Sequence, residues 1–177
     1  MSILKVARLG HPILRALAEA IPLEEIESAA VQRLIDNMIE TMREYEGVGL
    51  AAPQVYESKQ IIIVEMQAHP RHLHIAAIPL TVLINPTITY LSSEAEEDWE
   101  GCLSINDLRG KVPRSRKISV KGYDQKGKEV KLDIENFFAR VVQHEVDHLI
   151  GKVFLDRMRD FSTLTHLGEY NRYWNAG

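Results

Sequence analysis

The chain has 177 residues, 45% of them apolar and 26% charged, a make-up that fits a soluble globular chain and not a disordered or collagen-like one. A length of this order favours a single domain, here taken as 1–177, and a folded chain of that size buries roughly 70% of its unfolded surface. The net charge of −4 argues against a protein whose task is to grip nucleic acid, which needs a basic face.

Cys102 is the one cysteine, so the chain cannot build an internal disulfide framework, and a reducing, cytoplasmic compartment is expected. No stretch reaches the ~20 apolar residues of a membrane-spanning helix. The longest apolar run, Ile75 to Ile84, is interrupted by Pro79, and the opening MSILKVARLG shows no apolar or Arg/Ser-rich leader.

In chain order, residues 27 to 45 read as an amphipathic helix. Leu34, Ile35, Met38, Ile39 and Met42 recur at helical spacing, with Asp36, Asn37, Glu40 and Arg43 between them, and Gly47 and Gly49 are the expected stop. Gln60 to Met66 is a nearly continuous β-branched run, the pattern of a buried strand. Val82 to Asn85 and Thr87 to Leu91 flank a bend at Pro86. Lys117 to Tyr123 and Glu129 to Ile134 alternate in polarity about the turn Asp124-Gln125-Lys126-Gly127, which predicts a hairpin. A second helix is expected from about Asn136 to Ile150, with Gly151 as its stop. From Asp160 onward the periodicity is weak and no element is assigned. Strands and helices that do not alternate regularly indicate an α+β fold.

The sharpest chemical signal is His144-Glu145-Val146-Asp147-His148 on the second helix. Two imidazoles at i and i+4 share a face and can bind one cation, while the glutamate between them can reach a water on that cation. A buried helix with two hydrogen-bonded histidines is the plainer alternative. A catalytic site of this kind needs a third ligand. Downstream candidates are Asp156, Asp160, His166 and Glu169. The longer pattern with a third histidine fails, because Gly151 fits but Phe154 stands where that histidine belongs. Upstream, Cys102 in Glu100-Gly101-Cys102-Leu103-Ser104 reads as a small buried hydrophobe, a nucleophile or a thiolate ligand. The segment Gly47 to Gln54 superficially matches a dinucleotide fingerprint. It follows a helix rather than a strand, and Pro53 interrupts it, so nucleotide binding is rejected. It reads instead as a helix-ending loop that lets a substrate backbone approach, followed by an amide side chain able to donate. His69, His72 and His74 read as a solvated loop.

Together and in this order, GVGLAAPQ, EGCLS and QHEVDHL resemble the three motifs of the peptide deformylase family. The likeness extends from His11-Pro12 and Leu14-Arg15 to Asp156-Arg157-Met158. It implies an α+β fold in which antiparallel β-sheets pack around a central helix carrying HExxH, with an N-terminal amphipathic helix. It implies Fe²⁺ as the metal, replaceable by Zn²⁺, Ni²⁺ or Co²⁺, with Cys102, His144 and His148 as ligands. Hydroxide held by that metal would attack the N-formyl group of an N-terminal formyl-methionine and release formate. Glu145 would be the general acid and base, and Gln54 with the Leu103 N–H would receive the oxyanion. Val48, Phe137, Val141 and the His144 ring would line a methionine pocket, with ordinary core packing as the other role for Phe137 and Val141. Substrate would pair in extended form along Gly49. Arg109 would organise the Cys102 loop and pair with Glu46 or Glu100, a plain surface ion pair being the alternative. Partners so implied are N-formylmethionyl nascent peptides and, where these are made, the ribosome; neither nucleic-acid reading nor a membrane is implied. Asn106 stands where the family often has proline. Trp99 and the Tyr173-Trp174 tail are traits shared with the subgroup that includes mitochondrial members, whereas Leu103 is the bacterial choice. On the HExxH alone the competing functions are a general zinc metallopeptidase, in which Cys102 has no ligand role, and a non-catalytic metal-binding module.

Overall fold

The run from Ile61 to Met66 forms strand β2, and the side chains of Ile61 to Val64 are buried on both sides of a sheet. The computed structural model describes residues 2–67 and 76–175. Successive side chains of a strand point to opposite faces. Ile61 and Ile63 pack with Ile35, Met38 and Met42 of helix α1 (Ala29–Glu44). Ile62 and Val64 pack with Ala139, Val142 and Leu149 of helix α2 (Asn136–Leu149). A sheet covered by a helix on each face needs an apolar residue at every position of its inner strand, which is why this run does not alternate.

The larger sheet is antiparallel throughout. It contains β1 (Gly49–Ala51), β2, β3 (Ile78–Leu91), β6 (Lys117–Tyr123) and β7 (Glu129–Glu135), in that spatial order. A smaller antiparallel sheet joins β4 (Ala95–Cys102), β5 (Ile105–Ser115) and β8 (Thr165–His166). A third helix, α3 (Leu167–Tyr173), packs on β5. The fold is thus α+β, with antiparallel sheets and three α-helices among the described residues. Helix α2 packs against β1, β2 and β7 of the larger sheet and also against β5, so one helix serves both sheets. No helix among the described residues is long and apolar enough to cross a membrane.

Three details differ from the sequence expectations. The bend at Pro86 lies inside one continuous strand, β3, whose register against β6 slips between Ile84 and Thr87. Proline has no N–H to give to a ladder, and Asn85 beside it takes a left-handed conformation with φ 51°. The Asn85 amide holds that kink by accepting from the Ile21 N–H at 2.9 Å and donating to the Ile21 carbonyl at 2.8 Å. Helix α1 is capped at its N-terminus by Ser28, whose hydroxyl accepts from the Val31 N–H. Its left-handed exit is made by Glu46, with φ 53°, and not by a glycine. Finally, β4, β5, β8 and α3 had no clear sequence signature. The histidines at 69, 72 and 74 lie outside the described residues.

Candidate metal centre

The β4–β5 hairpin turns through Leu103 and Ser104, with Cys102 opposite Ile105. One residue, Gly101, then faces four, Asn106 to Arg109, before regular pairing resumes at Glu100 and Gly110. Such a bulge re-aims the side chains around it. Here it turns the buried Cys102 thiol toward α2, where the Cys102 Sγ lies 3.3 Å from His148 Nε2. The ligand atoms of Cys102, His144 and His148 all lie within 4.8 Å of one another, and among the described residues this is the only such group of histidine, cysteine or acidic side chains. The downstream candidates do not join it: Asp156 pairs with Arg15, and His166 sits on β8 opposite Leu108.

A donor set of one thiolate and two imidazoles suits a soft or borderline divalent ion, and two observations test the fit. Glu100 Oε2 stands 2.9 Å from His144 Nδ1, so Nδ1 donates and the other ring nitrogen keeps a free lone pair. Burial holds His148 well below the usual histidine range, aided by the fields of His144 and Arg114, and this keeps it neutral as a ligand must be. For His144 burial acts in the same direction, but bonding to Cys102 and Glu100 outweighs it and raises the pKa well above normal. The same surroundings that favour a proton on this ring favour a cation beside it. The residues fit the metal.

Glu100 itself is held by three partners. Arg114 grips it with two bonds, Nε to Oε1 at 2.9 Å and Nη2 to Oε2 at 3.0 Å. Arg140 Nη1 adds a bond of 2.8 Å to Oε1, and His144 completes the set. Burial opposes charge on Glu100, yet the His144 and Arg114 bonds hold its carboxyl well below the usual carboxylate range. Arg114 also reaches Asp147 at 2.5 Å, and Arg157 Nε contacts both Asp147 oxygens at 3.1 and 3.0 Å. The expected pairing of Arg109 with Glu46 or Glu100 is not what the structure has. Glu100 is saturated by Arg114, Arg140 and His144, and Arg109 donates instead to the carbonyls of Asn106 and Leu108, at 3.3 and 2.8 Å. Its guanidinium lies against Gly101, where a side chain would overlap it. Arg109 therefore braces the Cys102 bulge through main-chain contacts.

Gln54 follows β1 in a short 3₁₀ turn, Ala52–Val55, and is buried. The Ala51 N–H donates to Gln54 Oε1 at 2.8 Å, which turns Nε2 toward the centre, 3.4 Å from Cys102 Sγ and 3.2 Å from the Ser104 hydroxyl. An N-terminal segment clasps both pieces together: the Ala7 N–H donates to the Gln54 carbonyl at 2.7 Å and the Leu9 N–H to the Ser104 carbonyl at 3.0 Å. Glu145 lies beside β1. A Cβ at position 49 would come 2.8 Å from its carboxyl carbon, so any side chain there would displace Glu145. Glu145 Oε2 is buried and has no partner among the described residues. Burial is the main cause that pushes the Glu145 carboxyl up to about 7; the charges of Glu100 and Asp147 add to it and those of His144 and Arg114 oppose it.

All of this opens on one cavity of about 540 Å³, within the size range of small-ligand sites. Val48, Gly49, Gln54, Cys102, Leu103, Arg109, Phe137, Val141, His144 and Glu145 line it, and His148 closes the ligand set beneath. Sequence reasoning missed Arg114, Arg140, Asp147 and Ser104. Each is a buried polar residue whose partner at the site is distant in sequence, Gln54 for Ser104, Asp147 for Arg114 and Glu100 for Arg140, although an arginine amid the strand-like KVPRS was a usable hint.

A family model described as polypeptide deformylase matches residues 3–163. Peptide deformylase 1 of Bordetella pertussis is 45% identical over 157 residues, covering 89% of this chain and 88% of the relative. Peptide deformylase 2 of Pseudomonas putida is likewise 45% identical over 157 residues. Among solved structures, the class I type b peptide deformylase of Acinetobacter baumannii with Met-Ala-Ser bound has a TM-score of 0.85 and 42% identity, covering 88% of this chain and 98% of that one. The enzyme from Thermotoga maritima has a TM-score of 0.79 at 34% identity. On a match that runs through nearly the whole length, the chain belongs to the polypeptide deformylase family of enzymes.

Proposed function

We propose that this protein hydrolyses the N-formyl group from the N-terminal formyl-methionine of newly made polypeptides in the cytoplasm, releasing formate and a free amine. The observation that carries the reading is the convergence of Cys102, His144 and His148 beside Glu145 and the Gln54 amide, in a cavity part of whose lining, Val48, Phe137 and Val141, is apolar. Cys102, His144 and His148 would hold Fe²⁺, with Zn²⁺, Ni²⁺ or Co²⁺ as substitutes, and such an ion acts as a Lewis acid and lowers the pKa of bound water toward neutrality.

The chain's own residues do the rest. Glu145 Oε2, without a partner among the described residues, takes a proton from the attacking water and returns it to the departing amine nitrogen. Burial holds its affinity for the proton near the working pH, the condition for doing both. Negative charge grows on the formyl oxygen as its carbon becomes tetrahedral. Gln54 Nε2 donates to that oxygen, its direction already fixed by the Ala51 N–H, and the Leu103 main-chain N–H is the second donor. Val48, Phe137, Val141 and the His144 ring receive the flexible methionine side chain. The peptide lies extended along the open edge of β1 at Gly49. The similar Acinetobacter enzyme, crystallised with Met-Ala-Ser, supports a peptide of this form as product.

The test is formate release from formyl-Met-Ala-Ser by anaerobically purified, metal-analysed protein, with acetyl-Met-Ala-Ser as control. Formate from the first and no amine release from the second is expected. Cleavage of internal peptide bonds with no formate would refute the reading.

A further inference from the structure

The family model's match ends at residue 163, and β8 and α3 follow it. These are not loosely attached. Strand β8 pairs with the outer half of the bulge, Leu108 opposite His166 and Arg109 opposite Thr165. The indole of Trp99, on β4, meets the Tyr170 ring edge-on at 5.0 Å and the Trp174 ring at 5.7 Å, and Lys111 Nζ lies 5.5 Å from the same indole. The Lys111 N–H also donates to the Thr163 hydroxyl at 3.2 Å, fixing the start of the segment. Docked in this way, α3 contributes Leu167 to the lining of the cavity that holds Cys102 and Glu145, together with Trp99 and Arg109.

The cavity therefore has two apolar patches. Val48, Phe137 and Val141 are one, next to His144. Trp99 on β4 of the smaller sheet and Leu167 at the start of α3 are the other. An extended peptide presents successive side chains to opposite sides, so a chain whose methionine fills the first patch sends a following side chain toward the second. Apolar lining in a substrate cleft discriminates for apolar side chains.

We infer that the C-terminal segment Thr165–Trp174 is a specificity wall, in which Leu167 and Trp99 select apolar side chains within the two substrate residues that follow the formyl-methionine. Tyr170 and Trp174 act as positioning residues that seat α3. This rests on the formyl-peptide reading above and deepens it.

The experiment compares kcat/KM for formyl-Met-Leu-Leu, formyl-Met-Ala-Ser and formyl-Met-Lys-Lys in the full-length, metal-loaded protein and in Leu167→Ala, Leu167→Glu and Leu167→Met. The parent protein should prefer Leu-Leu to Ala-Ser. Leu167→Ala should lower that ratio about fivefold, the scale of one or two methylenes leaving an apolar contact, and Leu167→Met should restore it. Leu167→Glu should raise Lys-Lys relative to Leu-Leu about tenfold, a reversal that mere loosening of α3 does not produce. Formate release by every variant with all ratios within about twofold of the parent would overturn the wall and leave the deformylation reading standing. No formate from any peptide with the parent protein would overturn both.

Discussion

Removing the Glu100 carboxylate tests how the metal centre is held. Four bonds end on it: two from Arg114, one from Arg140 and one from His144. Breaking one side of a buried ionic group costs about 3–5 kcal/mol, because the surviving charges are left unpaired. The structure puts Glu100→Ala at the lower end of that range. Arg114 keeps Asp147, and Arg140 keeps the carbonyls of Glu96 and Val112 at 2.7 and 2.8 Å. About 3 kcal/mol in a chain of this size corresponds to a fall in Tm of roughly 6–12 °C. Affinity for the metal should fall about 10- to 100-fold as well, because His144 loses the partner that fixes its ring. Glu100→Gln separates the two effects. Its carbonyl can still accept from Arg114, but an amide nitrogen facing His144 Nδ1 sets donor against donor, so stability should drop less than metal affinity. Thermal unfolding followed by circular dichroism, with chelator competition for the metal, reads both. A Glu100→Ala protein that melts within about 2 °C of the parent and holds its metal within threefold would refute the reasoning.

Gln54→Ala should lower kcat at least about 100-fold with metal content unchanged, since an oxyanion donor is worth ~2.7–4 kcal/mol of barrier; near-normal turnover would remove Gln54 from that role. Cys102→Ser should lose most of its metal after purification, whereas Glu145→Gln should keep the metal and lose formate release by about 10²–10⁴-fold; elemental analysis beside a formate assay distinguishes them, and a Cys102→Ser protein with full metal would return the site to the histidine-only class. Asp156 gives a pH signature. Burial raises its pKa, but the Val153 N–H and Arg15 outweigh this and lower it, so its contribution to stability is full above the ordinary aspartate range and fades as pH falls through the lowered value. The Tm difference between Asp156→Asn and the parent should therefore shrink below about pH 4, and it should be modest at neutral pH because Arg15 is half exposed.

Elements with a distinctive burial pattern were legible in the sequence. Helix α1 is amphipathic because only one of its sides meets the sheet, and the β6–β7 pair alternates because only one of its faces is covered. Strands β4 and β5 escaped for opposite reasons. Glu96, Glu97 and Asp98 are exposed on β4, a charged edge strand that resists pairing with other chains and so looks like a loop. On β5 the buried face does alternate, through Gly110, Val112 and Arg114, but its members are a glycine, a valine and an arginine. Arg114 takes a core position because Glu100 and Asp147 neutralise it there, and neither partner is a sequence neighbour. Helix α3 escaped because edge-on and tilted aromatic contacts with Trp99 seat it rather than an apolar stripe.

The same distinction between local and distant causes runs through the centre itself. The histidine pair is a local fact: four residues of helix put both rings on one face, and the spacing alone announces it. The thiol is a distant one. Cys102 and His148 are 46 residues apart, and nothing in the spacing brings them together. What does is a turn of two residues, a bulge braced by Arg109 over Gly101, and a helix turn tied to that strand by Glu100. The direction of Gln54 depends in turn on one N–H, that of Ala51, which can only donate and so forces the amide oxygen toward itself. Resemblance of three motifs in order could stand in for these causes, because those motifs contain the thiol, the imidazoles and the amide. It could not supply the arginines that hold Glu100, nor the C-terminal wall, because neither lies within those three segments.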